Sequence, residues 1–222
     1  MNAKFLFFFM VLTRISAFFL VLPVFSWRSI PVRVKTAAAL MISLFFAMAI
    51  PSNITAENTS VLEVTILLNN EAFYGLALGL IILLIFNVIK VTGRIIERQM
   101  GLAMAQVLDP MTGENGQPLG MLLEIIFIVI FLSCNGHHMF LMILARSYEA
   151  FPAGQIPNIG VLTEGVVKAG SSMLTAGLRL AAPILTAFLL LLITMGALAR
   201  LTPEMNILFI SLPLRVGLGL MM

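Results

Sequence analysis

Apolar residues along this chain gather into six runs, at positions 5–25, 36–50, 72–89, 119–145, 173–199 and 207–222. A bilayer crossing takes about 20 such residues, within a range of roughly 17–25. The runs therefore predict an all-α fold of hydrophobic helical hairpins. The second run is short for a crossing, and the fourth is long and interrupted at Asn135-Gly136-His137-His138. The sixth stops at Leu220-Met221-Met222 without a polar flank, so the natural chain is expected to continue past it. Helix breakers cluster twice. Pro110, Gly113, Gly116, Pro118 and Gly120 mark one break, and Pro152, Gly154, Pro157 and Gly160 mark another. No internal repeat or low-complexity tract is visible, and residues 1–222 are expected to form a single helical domain.

Composition makes this a membrane or membrane-complex protein. Of the 222 residues 60% are hydrophobic and 10% charged, against about 25% charged in a soluble domain. Mean hydropathy is +1.08. That leaves too little polar surface to clothe one soluble core, which argues against a soluble enzyme or nucleic-acid binder. The net charge of +3 is spread between the runs rather than along one face, so nucleic acid is not an expected partner. Basic segments fall at 27–35 and 90–98, and an acidic one, with Glu57, Glu63 and Glu71, at 51–71. If basic loops face the cytoplasm, the N-terminus and the acidic loop lie outside. Lys4 and the apolar residues after it resemble a signal peptide only faintly. Arg14 interrupts the run and no small-residue cleavage site follows, so it reads as a retained first helix. A single cysteine, Cys134, excludes an internal disulfide.

Candidate chemistry is sparse. No phosphate-binding loop, HExxH, GxSxG or paired cysteines occur, so no enzyme activity, cofactor or ATP-driven step is expected. His137 and His138 are neighbours, about 100° apart on a helix, which suits a polar break or an interface better than a metal. Arg14 sits in mid-run, where a bilayer centre would cost roughly 2.5–3.5 kcal/mol. It marks an ion or substrate site, or else it has a partner carboxylate or lies within a protein assembly and not in lipid. Glu124 and Arg179 pose the same question near run ends, where snorkelling is a cheap answer. Gly75-xxx-Gly79 is a small-xxx-small step that permits close helix approach. From Arg94 an amphipathic helix with Glu97, Arg98 and Gln99 leads into a small-residue helix that breaks at Asp109-Pro110.

Several blocks stand out in order: Thr13-Arg14-Ile15-Ser16-Ala17-Phe18 with Pro23-Val24-Phe25-Ser26, and Ile30-Pro31 with Val34-Lys35. Then come Gly101-Leu102-Ala103-Met104-Ala105 with Asp109-Pro110, and Asn135-Gly136-His137-His138 with Ser147 and Pro152. The last is Thr202-Pro203-Glu204-Met205-Asn206 through Phe209, with Pro213-Leu214-Arg215. Together they resemble the FliR family, R subunits of the flagellar type III export gate, and the related T subunits of virulence secretion systems. The Asp-Pro and Asn-Gly-His blocks favour the flagellar branch.

That resemblance implies a non-enzymatic subunit in the bacterial inner membrane, within the flagellar basal body. One copy would assemble with P-type and Q-type subunits into the entry of a channel for unfolded export substrates, and would meet a B-type switch protein. Its tilted hairpins would be lifted partly out of the bilayer plane. The loop after the small-residue helix would plug the lumen; here it is Val107, Leu108, Asp109, Pro110, Met111, Thr112, Gly113, Glu114, Asn115, Gly116, Gln117 and Pro118. Arg14, Gly101, His137 and Asn206 are expected to contact neighbouring subunits. The rival from another class is a small-molecule or ion transporter using Arg14 and Glu124, which inverted repeats would support. A membrane enzyme using His137 and His138 is the third reading.

Overall fold

The computed structural model describes residues 3–23, 31–50, 60–101, 118–201 and 207–221, and the regular elements among them are all helices. They are α1 (Ala3–Val21), α2 (Val32–Ala49), α3 (Val61–Met100), α4 (Pro118–Ser133), α5 (Gly136–Ala150), α6 (Ile159–Leu201) and α7 (Ile207–Met221). Among the described residues α1, α2, α3 and α6 are each long and apolar enough to cross a membrane, and α4 with α5 form a broken fifth candidate.

Two compact units divide the chain, Met1–Phe86 with Ile130–Ser171 and Asn87–Val129 with Ser172–Met222. In the first, α1 is the buried element. Leu6, Met10, Val11, Ile15, Phe18 and Leu22 are fully enclosed at helical spacing. Arg14 lies on that inward face, while Phe5 and Leu20 point outward at 62% and 76% exposure. The charged residue is inside and large apolar residues are outside, which suits a surface facing lipid or other protein. Here α1 packs on α2 and, through Gly75 and Gly79, on α3. A Cβ at Gly75 would run into the Arg14 carbonyl, and one at Gly79 would come within 2.9 Å of the Val21 Cβ. The small-xxx-small step thus seats α1 against backbone. Phe86, Phe131 and Phe140 cluster beside them, edge-on or tilted, with ring centroids 5.1–6.2 Å apart.

The second unit centres on Ile96, Met100 and Phe188, covered by Leu119, Ile184, Val216 and Leu218. Gly219 lies so close to Met100 that a Cβ there would fall 2.6 Å from its sulfur.

Helix α3 corrects the reading of two charged segments as loops. Positions 61–71 and 90–98 belong to one unbroken 40-residue helix, about 60 Å long at 1.5 Å per residue. Its start is a capping box. The Glu63 N–H donates to Ser60 Oγ at 3.3 Å and the Ser60 N–H to Glu63 Oε2 at 3.0 Å. Charge does not stop a helix, and α3 has no proline; its end comes at Gly101, whose φ of +81° suits the residue after a helix. Likewise the second breaker segment is shorter than expected. Pro152, Gly154 and Pro157 lie in it, but Gly160 already belongs to α6, which runs 43 residues and carries Pro183 inside it. The fourth apolar run divides as its sequence indicated, with Asn135 left-handed at φ 57° between α4 and α5.

Candidate functional site

Two buried carboxylates on α3 organise what surrounds them. The first is Glu71, in the first unit. Arg14 Nε donates to Glu71 Oε2 at 2.6 Å, with both side chains at 0% exposure. The guanidinium is otherwise satisfied by backbone. Nη1 and Nη2 both donate to the Phe151 carbonyl at 3.1 Å, and Nη1 lies 3.4 Å from the Ser147 carbonyl and Oγ. Two aromatic faces close the charge in, with Tyr148 4.1 Å and Tyr74 4.8 Å from the guanidinium carbon. Glu71 Oε1 accepts from the Gly154 N–H at 2.9 Å. The pair therefore ties α1, α3, the end of α5 and the breaker segment after it into one cluster. Positioned so, Arg14 has its carboxylate partner inside the chain, and its side chain is not at the surface where a neighbouring subunit would meet it.

The second carboxylate, Glu97, is in the second unit. Helix α4 opens with Pro118, which has no N–H, so its first donors are Leu119 and Gly120. Both go to Glu97 Oε1, at 2.6 and 3.1 Å. A carboxylate at a helix N-terminus is favoured by the unpaired N–H groups and the dipole there. Gly93, one turn before Glu97, meets Gly120 so closely that a Cβ would fall 2.6 Å from the Gly120 Cα. One turn along α4, Glu124 pairs with Lys90 at 2.8 Å. The helix ends on either side of segment 102–117 are thus joined by backbone contact, a buried carboxylate and a half-exposed ion pair.

The expected plug residues 107–117, and Asn206, lie outside the described residues; Pro118 begins α4. Gly101 is described as the residue ending α3. His137 and His138 open α5 with exposed side chains and rings 4.4 Å apart, and no group of three or more potential metal ligands occurs among the described residues. Arg14 and Glu124, joined in the transporter reading, each have another partner, Glu71 and Lys90.

Neither carboxylate was singled out as a site from sequence, although a signal existed for each. Glu71 precedes Gly75 and Gly79 at four-residue steps and so shares their face. Lys90, Gly93, Glu97 and Met100 recur at steps of three and four, which again defines one face.

The profile of the family described as "Bacterial export proteins, family 1" matches residues 5–222. The flagellar biosynthetic protein FliR of Pectobacterium carotovorum subsp. carotovorum is 35% identical over 214 residues, 96% of this chain and 81% of that protein. FliR of Escherichia coli K12 is 31% identical, again over 96% of this chain and 81% of its own. FliR of Bacillus subtilis 168 is 29% identical over 97% and 83%. With the profile covering nearly the whole chain, and a relative above 30% identity matched over most of its length, the protein belongs to the FliR family of bacterial export proteins.

Proposed function

We propose that this chain is a non-enzymatic wall subunit of the flagellar type III export gate in the inner membrane, with residues 107–118 as the plug of its lumen. Family membership carries the first part. The second is supported by the two helix ends that flank this segment in the sequence, the end of α3 and the start of α4, which Glu97 and the Gly93–Gly120 contact hold together. A glycine-containing loop on a fixed base can close a narrow passage and swing aside without unfolding a helix. The two compact units act in this reading as one export-gate domain, and the partners are P-type and Q-type subunits, a B-type switch protein and unfolded export substrates.

The exposed apolar surface supports life among such partners and lipid. Only 11% of the most apolar stretch of α6 is buried within the chain, and Leu189, Leu190 and Ile193 are each 59% exposed. Contiguous apolar surface of this kind marks contact with protein or membrane.

Co-expression with P-type and Q-type subunits, followed by native mass spectrometry, tests the assembly; one copy in a larger hetero-oligomer is expected. Recovery of the co-expressed chain without either partner, as a monomer or homodimer, would refute it. Deleting residues 113–116 tests the plug, and should make the resting gate leak ions. Unchanged conductance would remove the plug assignment while leaving the subunit role standing.

A further inference from the structure

We propose that Arg215 is a docking residue for a neighbouring subunit: its guanidinium takes a carboxylate carried on an apolar helix of a P-type or Q-type partner. The proposal rests on the subunit reading above and names the chemistry of one of its contacts. Three observations, all within the second unit, carry it.

Arg215 is the single charged residue of α7 and sits in its interior, eight residues from Ile207 and six from Met221. It is partly buried. Val216 and Leu218 beside it pack on the Ile96, Met100 and Phe188 cluster, and Gly219, one turn on, lies against Met100. Residues four apart share a face of a helix, so Arg215 and Gly219 belong to the same side of α7. Leu212, one turn back, is 47% exposed. Arg215 therefore stands where the packed side of α7 gives way to an open apolar surface.

No described acceptor serves it. Among the described residues the Arg215 side chain makes no ion pair and no hydrogen bond. The two acids described in this unit are engaged elsewhere, Glu97 by the Leu119 and Gly120 N–H groups and Glu124 by Lys90. A partly buried cation in apolar surroundings is costly until it is paired. At Arg14 this chain meets the same demand with a glutamate from an adjoining helix.

The surroundings fit a helix of another protein. Leu212 and Leu214 are each 47% exposed, and Leu220 is 70% exposed. Apolar surface around an arginine is the make-up of an interface core, and a carboxylate matches the planar guanidinium with two parallel bonds. A lipid phosphate is met more readily from the end of an apolar helix, where Arg200 lies on α6, than from the interior of one.

The test places Arg215→Met, Arg215→Lys and Arg215→Glu in the full chain, co-expressed with P-type and Q-type subunits. The readouts are the share of the chain recovered in the hetero-oligomer and the melting temperature of the chain purified alone. Arg215→Met should cut the recovered share roughly tenfold or more. The lone Met variant should melt at the parent's temperature or above it, because an unpaired charge is gone. Arg215→Lys keeps the charge and should assemble better than the Met variant. Arg215→Glu should fail to assemble, and replacing one acidic residue of a partner helix by lysine should restore it. A Met variant that assembles like the parent overturns the docking role and leaves the subunit reading standing. A parent chain that does not assemble removes both. A lone Met variant that melts well below the parent shows a partner inside the chain and overturns the proposal, as does rescue of Arg215→Glu by lysine at Asp109, Glu114 or Glu204. Phospholipid that co-purifies with the parent and is lost from the Met variant overturns it in favour of a headgroup. If no partner acid rescues Arg215→Glu, the occupant is not a carboxylate. Should Arg215→Glu not accumulate, the Met and Lys variants decide by the same two readouts.

Discussion

Replacing Glu71 by alanine removes one half of an ion pair in which both side chains are at 0% exposure. The guanidinium of Arg14 would keep the Phe151 carbonyl at 3.1 Å and two longer contacts to Ser147 at 3.4 Å. Its charge would have lost its counter-charge, and the Gly154 N–H would have lost its acceptor. Breaking a buried pair from one side costs about 3–5 kcal/mol, whereas exchanging both members for apolar residues of similar volume is often neutral or stabilising. At 2–4 °C per kcal/mol for a chain of this size, Glu71→Ala should lower the melting temperature of the purified chain by about 6–20 °C. Arg14→Met should do the same from the other side, by stranding Glu71. The double variant Arg14→Met with Glu71→Leu should recover most of the loss. Thermal unfolding in detergent, read by circular dichroism, measures all three. A Glu71→Ala variant within about 0.5 kcal/mol of the parent, or a double variant as unstable as either single one, would refute the account. The first result would mean that the charges are solvated after all. The second would mean that the loss comes from packing.

The glycine contacts separate two kinds of glycine in the same assay. Gly75→Ala and Gly93→Ala push a Cβ into backbone at Arg14 and Gly120 and should each cost about 1–3 kcal/mol, while Gly196→Ala, with nothing within 4 Å, should be neutral or stabilise by up to about 1 kcal/mol; equal effects at all three would show that close approach is not what selects glycine here. Ser60→Ala removes one side of the capping box and should cost about 1 kcal/mol, with amide exchange rising in the first turn of α3 and not at its centre; protection lost along the whole helix would argue against a cap confined to the end.

The fold was legible wherever apolar runs and breakers alone decide it. Runs, the interruption at Asn135 and the tight step at Gly75 and Gly79 all correspond to features of the structure. Helix ends were not legible, because charge at the edge of an apolar run fits a loop and a helix end equally well. Glu63, Lys90, Arg94 and Arg98 lie within α3, and Ser60-Val61-Leu62-Glu63 carried the capping signal that would have moved its start. The site was harder still. Arg14 announces itself because a cation in an apolar run is costly, but its partner lies 57 residues away. That partner, Glu71, closes an acidic segment that reads as an aqueous loop. A pairing of that range becomes visible only after Glu71 is placed on the same helical face as the two glycines that receive α1.

Both carboxylates answer the same physical demand. Irregular backbone in an apolar setting must be satisfied by protein, since water is not there to do it. Each of the two breaker segments brings unpaired N–H groups with it, Gly154 in the segment after α5 and Leu119 with Gly120 at the end of the segment before α4. In each case the acceptor is an acidic side chain projecting from α3. A glycine on the same face, Gly75 near Glu71 and Gly93 near Glu97, lets the neighbouring backbone come close. A carboxylate serves better than an amide here because its bonds to N–H are charge-assisted. Both acceptors lie on α3, Glu71 in the first unit and Glu97 in the second. In a chain with 10% charged residues, Glu71 and Glu97 lie where backbone N–H groups would otherwise be buried unpaired.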